Sequence, residues 1–256
     1  MSKLLRIFLE IQEDRSTFGN CEDGDRFESK FRNKIKTVFS EIVHDSKNNL
    51  ATLEISKLEE LKYDIVNTFY KEIKDKIKDK ESLELVENPF KKIDSHFIFQ
   101  PFGSQDFPDF LIFTKKFIFP IEIKFTTNKK SKDLNLDSQK PMWNSNLPKP
   151  NSIYLFGVSG QNITFFLGSD ILDSNTREIL NGFFRELDNP TEKLKYSLQE
   201  LKNNFGLYPY IRKAFDHKAN KSTYKNSLNK QVVESYFSEN LDKRERNVLK
   251  FLKENS

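Results

Sequence analysis

Five short apolar runs, His96–Phe99, Phe107–Phe113, Phe117–Phe125, Ile153–Val158 and Ile163–Leu167, constrain the fold of this chain more than any other feature. Pro, Gly and polar residues separate them. Runs this short, rich in Phe and Ile, predict strands and not core helices. Phe is unusually frequent, at 25 of 256 residues. Thr114-Lys115-Lys116 is short enough to turn the second run into the third, and Ser159-Gly160-Gln161-Asn162 does the same for the last pair. A mixed β-sheet is expected.

Helical spacing surrounds the sheet. Asp25 is a candidate N-cap with Glu28 as its capping-box partner, and Phe27, Phe31, Ile35, Val38 and Ile42 follow at helical intervals, predicting a helix from Asp25 to His44. Ser56 and Glu59 open a second, with an apolar stripe of Leu58, Leu61, Ile65, Phe69, Ile73 and Ile77. Its end, Lys71–Lys80, is so charged that it is expected to project into solvent. Beyond Ser169 the pattern predicts helices over Thr176–Leu187 and Thr191–Asn203, then around Gln231–Phe237 and Leu241–Lys253. Helices, then strands, then helices predict an α/β class: a mixed β-sheet core flanked by helices, with helical N- and C-terminal additions. The expected parts are 1–90, mainly helical and packed on the core; 91–170, the sheet; and 171–256, helical, for DNA binding or dimerisation. Together they should form one compact unit.

The formal net charge is only +4, but it is unevenly spread. Thr114–Lys149 holds eight Lys against three acids, and Phe205–Lys230 holds six Lys or Arg against one acid. Each stretch carries +5, as suits a surface facing a polyanion or, equally, a solvated Lys-rich loop. Cys21 is the only cysteine, which excludes an internal disulfide and a cysteine metal cage. His44, His96 and His217 share no metal-ligand spacing. No phosphate-cradling glycine loop occurs, so ATP use is not indicated. The apolar start is broken by Arg6, Glu10 and Glu13 and does not read as a signal peptide, and no run has the length of a membrane span. A cytoplasmic protein with no membrane partner is expected.

Chemistry concentrates on one pair of strands. Pro108-Asp109 opens one, and Glu122-Ile123-Lys124 lies near the end of the next. Alternation points Glu122 and Lys124 to one face and Ile121, Ile123 and Phe125 to the other. A hairpin brings Asp109 beside Glu122. Two carboxylates so close repel unless a hard divalent cation lies between them. Asp109, Glu122 and the Ile123 carbonyl offer oxygen ligands for Mg²⁺, and Lys124 can orient a water or stabilise a phosphorane. The plainer alternative makes Asp109 a turn residue and Glu122–Lys124 a salt-bridged strand face. The apolar surroundings of all three favour the catalytic reading. Asp106 is an alternative to Asp109, which is preferred because it follows Pro and opens the apolar run.

The stretch Gln100-Pro101-Phe102-Gly103-Ser104-Gln105-Asp106-Phe107-Pro108-Asp109, with Ile121-Glu122-Ile123-Lys124, resembles the active-site hairpin of PD-(D/E)xK nucleases, most closely type II restriction endonucleases. Lys140-Pro141-Met142-Trp143-Asn144-Ser145 and Ile153-Tyr154-Leu155-Phe156 are similar to the segments C-terminal to that motif in several of those enzymes. The resemblance spans roughly residues 90–168. It implies a restriction-endonuclease-like core, Mg²⁺ dependence, hydrolysis of double-stranded DNA to 5′-phosphate and 3′-hydroxyl ends, a homodimer, and a cognate DNA methyltransferase in the same bacterial or archaeal cell. Many such enzymes add a carboxylate from an N-terminal helix. Glu28 is the candidate here, against its reading as a cap residue. The alternatives are a structure-specific or repair nuclease of the same fold, or a non-catalytic DNA-binding protein.

Lys129, Lys130 and Lys132 follow the catalytic strand directly and are candidates for phosphate contact. Asn144 and Ser145 are candidates for contact with base edges, whereas Trp143 more often packs. Near Tyr208 and Tyr210, Arg212 and Lys213 are further DNA-binding candidates, with Arg212 suited to guanine.

Overall fold

The computed structural model describes residues 1–42, 72–79, 82–90, 94–104, 106–126, 141, 147–158, 162–200, 236–237 and 241–256. Two compact units are present, Met1–Leu172 with Ser235–Ser256, and Asp173–Glu234.

The first unit is built on one mixed sheet of seven strands among the described residues: β1 (Ser40–Glu41), β2 (Val86–Glu87), β3 (His96–Phe99), β4 (Phe110–Phe113), β5 (Phe117–Thr126), β6 (Ile153–Val158) and β7 (Asn162–Leu167). The order is β1-β3-β4-β5-β6-β7, with β2 also on β5. The pairs β1–β3 and β5–β6 are parallel, the others antiparallel. Ten residues long, β5 pairs with β4 along one edge, while its other edge is divided between β2 at Phe117–Ile118 and β6 from Ile121 to Thr126. All five expected strands form. The second is shorter than Phe107–Phe113, because Pro108 has no N–H for a ladder and pairing with β5 begins at Phe110.

Alternation sorts the sheet into two apolar faces. One carries Phe97, Phe110, Ile112, Phe119, Ile121, Ile123, Leu155 and Phe165. It is covered by α1 (Lys3–Glu13), α3 (Gly24–Lys36) and the C-terminal helix Leu241–Asn255, through residues such as Phe8, Phe31, Ile35, Val248 and Leu252. The short α2 (Arg15–Gly19) adds Phe18. Phe8 meets the rings of Phe31 and Phe165 edge-on, at 6.2 and 5.0 Å between centroids. Each such buried ring contributes roughly 1.5–3 kcal/mol. The opposite face holds two smaller clusters, Ile98, Leu111, Phe113 and Ile118 at one side, and Tyr154, Phe156, Val158 and Phe166 at the other. Between them, on the second half of β5, the face turns polar at Glu122 and Lys124.

Several helical expectations are corrected. The cap of α3 is Asp23, whose carboxylate accepts the Arg26 N–H at 2.8 Å, and not Asp25. The helix stops at Lys36 instead of reaching His44. Val38 and Ile42 lie beyond it, because the chain pairs with β3 through Ser40 N–H to Ser95 O (2.9 Å) and Ile42 N–H to Phe97 O (2.8 Å). Glu41, held by Arg32 and by Lys36 at 2.7 Å, ties this strand back to α3. The charged segment near Lys71–Lys80 does not simply project into solvent. Residues 72–78 are helical, and Ile73 and Ile77 are buried on the sheet. The Lys149 ammonium donates to the Ile77 carbonyl at 2.9 Å and to that of Lys76, where a helix end leaves carbonyls unpaired. Lys149 is therefore buried and does not face a polyanion; burial pushes it down to about 8. Ser56 and Glu59 lie outside the described residues.

In the second unit, Ser174–Glu200 is one helix where two were expected. Asp173 opens it by accepting the N–H and hydroxyl of Thr176, at 2.9 and 2.7 Å. Pro190 lies inside. Its fixed φ is itself helical, so the chain passes through with the loss of one hydrogen bond.

Candidate active site

The β4–β5 hairpin positions the catalytic candidates. Thr114 Oγ1 donates to the Phe117 carbonyl at 2.8 Å and closes the turn. The last residue pair of the ladder is Phe110 with Ile121, which sets Asp109 opposite Glu122 just past the end of β4. Side chains there replace backbone rungs. The Ile123 N–H donates to Asp109 Oδ2 at 2.6 Å, and the Asp109 N–H donates to Glu122 Oε2 at 3.2 Å. Each carboxylate is thus pinned by the other strand's backbone. Lys124 Nζ lies 2.7 Å from Glu122 Oε1, on the same face. The salt-bridged strand face weighed from sequence is therefore present, but it accounts for only one of the two acids.

The electrostatics carry an excess of negative charge. Burial, and next the neighbouring Glu122, push Asp109 up to about 8, against the opposing Ile123 N–H. Burial also raises Glu122, while Lys124 opposes. Glu28 adds to the strain on Asp109 and is itself raised, by burial first and then by Asp25 and Glu122. Three carboxylates thus sense one another around one ammonium.

Glu28 reaches this place from the far layer. Phe27 packs on Phe125 with ring centroids 5.1 Å apart, and both lie over β6 where it has only Gly157. A Cβ at Gly157 would come within 2.8 Å of both rings. This close approach sets the first turns of α3 over the end of β5, so the residue after Phe27 faces the acids. With Asp23 as the cap, Glu28 is no longer explained as a capping-box residue.

Gln100, which the sequence did not single out, touches both sides. Its N–H donates to the Asp109 carbonyl at 2.7 Å, and its side-chain amide donates to Glu28 Oε1 at 3.5 Å. Its φ is +45°, in the left-handed region. Nothing in a lone Gln before Pro signals this. Asp106, the alternative acid, instead pairs with Lys78 at 3.0 Å.

A hard cation suits this donor set. Mg²⁺ takes one or two carboxylates and keeps several waters. The N–H and C=O of a strand residue point to the same side, so the Ile123 carbonyl faces the space beyond β4, as Asp109 does. Among the described residues no three His, Cys, Asp or Glu side chains converge closely enough to hold a metal. Asp109 and Glu122 form a pair, with Glu28 at longer range. The expected DNA contacts Lys129, Lys130, Lys132, Asn144, Ser145, Arg212 and Lys213, and Trp143, lie outside the described residues.

Comparison with family models, curated proteins and solved structures gives no match to this chain. No helix among the described residues is long and apolar enough to cross a membrane.

Proposed function

We propose that this chain is a Mg²⁺-dependent DNA endonuclease of the PD-(D/E)xK class, acting as a type II restriction enzyme. One observation carries the reading: Asp109 and Glu122 are each pinned by the opposite strand's backbone, with Lys124 2.7 Å from Glu122, on a polar strip between two apolar clusters. The mixed sheet flanked by helices is compatible with the core that the motif resemblance implies.

Asp109, Glu122 and the Ile123 carbonyl would hold the cation. When bound, Mg²⁺ supplies charge neutralisation at the phosphodiester and a more acidic water. Asp109 keeps a fixed orientation through the Ile123 N–H, so its carboxylate needs no reordering as substrate arrives. The Lys124 ammonium, steered by Glu122, stabilises negative charge developing on the phosphorus oxygens. Double-stranded DNA is the substrate, bound by a homodimer in the cytoplasm of a bacterial or archaeal cell, beside a methyltransferase protecting the same site.

Incubation of the protein with a long duplex of known sequence, with Mg²⁺ or with EDTA, tests this. Discrete fragments with Mg²⁺ alone are expected. A smear, or cutting only at junctions and lesions, would point to a structure-directed nuclease. Binding without cleavage in any divalent metal would sink the catalytic reading. Lys124→Ala should reduce the rate by roughly 100-fold with little change in DNA affinity; an equal loss of both would make Lys124 a binding residue.

A further inference from the structure

We propose that Lys74 and Lys78 form a phosphate-binding site for the DNA strand beside the catalytic hairpin, and that Asp106 occupies it in the free protein. The inference rests on the nuclease reading above and assigns part of its substrate contact.

The helical residues 72–78 turn Ile73 and Ile77 into the apolar cluster with Ile98 and Leu111. That cluster lies on the sheet face that also carries Glu122 and Lys124. Lys74 and Lys78 each follow one of these isoleucines, so they stand one helical turn apart, where like charges repel. The ring of Phe102 meets both: each ammonium lies 5.5 Å from its centre. A ring face attracts cations but leaves their charge uncompensated. Lys78 gains one carboxylate, that of Asp106 at 3.0 Å. Lys74 has no ion-pair partner among the described residues. Two ammoniums thus converge on one ring with a single acid between them.

The place of this pair follows from the loop that holds Phe102 and Asp106. Its base is closed where the Gln100 N–H donates to the Asp109 carbonyl at 2.7 Å. Asp106 is three residues from Asp109, at most about 11 Å along the chain. Phosphates of one strand follow at about 3.4 Å of helix rise, so Lys78 lies within a few nucleotides of a phosphodiester held at Asp109. The platform itself is anchored, because the Lys149 ammonium donates to the Ile77 carbonyl at 2.9 Å. The bond to Asp106, by contrast, is open to exchange. Its two side chains are 34% and 50% exposed, and ion pairs so exposed contribute little to a fold. A phosphate offers the same anionic oxygens, takes the place of Asp106 on Lys78 and engages Lys74 as well.

The test is fluorescence anisotropy of the full chain with a labelled duplex of random sequence, in EDTA, over a series of salt concentrations. Phosphate contacts carry no sequence information, so no recognition site is needed. Lys74→Gln and Lys78→Gln should each weaken binding and lower the slope of log Kd against log salt by about 1. Asp106→Asn should act in the opposite direction and tighten binding by roughly twofold to fivefold, the strength of an exposed ion pair. A misfolded variant cannot give such a gain. In a Lys78→Gln background the gain should disappear. An unchanged slope in either lysine variant would overturn the proposal. So would an Asp106→Asn gain that persists without Lys78, since the carboxylate would then act through its general field and not by occupying the site. If the wild type binds no duplex even at low salt, the nuclease reading falls and this site with it. If the wild type binds and the lysine variants match it, this site alone falls.

Discussion

Glu245 on the C-terminal helix and Asp109 at the end of β4 are both withdrawn from water, and burial pushes both carboxyls up, yet their neighbours act in opposite directions. Glu245 is fully buried, and both its oxygens are met by the Arg15 guanidinium at 2.5 Å, with Gln12 adding a bond at 2.8 Å. These partners oppose the effect of burial. Around Asp109 the charged neighbours are chiefly acids, Glu122 and Glu28, with Lys124 the weaker counterweight. The first centre is complete as the protein stands, and serves to join α2 to the C-terminal helix. The second is short of positive charge. A protein that can place a bidentate arginine under one buried acid and leaves two others sharing a lysine has a different use for the second group.

Substitutions should separate the two centres sharply. Asp109→Asn should lower Mg²⁺-dependent cleavage by roughly 1000-fold or more while leaving a folded protein, checked by cleavage kinetics and circular dichroism. Retained cleavage would remove Asp109 from the site and with it the contrast. Glu245→Ala strands the Arg15 guanidinium and should cost about 3–5 kcal/mol in urea denaturation, with cleavage per folded molecule unchanged. A variant as stable as the wild type would mean that the Arg15 clamp is not structural.

The smallest effect is a pH dependence. A carboxyl raised from 3.8 to about 8 binds its proton more tightly in the folded state, so its contribution is complete below the unfolded value and is lost as pH rises through about 8. Thermal melting in EDTA should therefore fall by about 3 °C or more as pH rises from about 5 to about 8.5. Mg²⁺ should restore it, and Asp109→Asn should flatten it. A melting temperature that rises over that interval would contradict the raised carboxyl.

How far the fold can be read in the sequence depends on how local each signal is. The five strands were legible because short runs rich in Phe and Ile, bounded by Pro, Gly and polar residues, suit strands better than helices. Asp109, Glu122 and Lys124 were legible because charges inside such runs need a reason. By contrast β1 and β2 are two residues each, formed by pairing with distant strands, and no local pattern marks them. Val38 and Ile42 fit a helical stripe by spacing, yet serve a turn and a strand end, since burial alone does not distinguish the two periods. Asp23 and Asp25 are equally good caps on paper; the choice between them decides whether Glu28 is spoken for. Arg15, Gln12 and Glu245 are ordinary charged and polar residues on amphipathic helices until the fold joins positions 230 apart.

Asp109, Glu122 and Lys124 occupy one hairpin, and its own N–H groups hold the two carboxylates. This gives the molecule an uneven tolerance to insertions and deletions. Lengthening the connection after Thr126, or the segment before Val86, leaves the hairpin's internal register untouched. One residue added within β5 ahead of Glu122 would turn Glu122 and Lys124 into the apolar layer and bring Ile123 out between the acids. Surviving length variants of this chain should therefore differ almost anywhere except along those few residues.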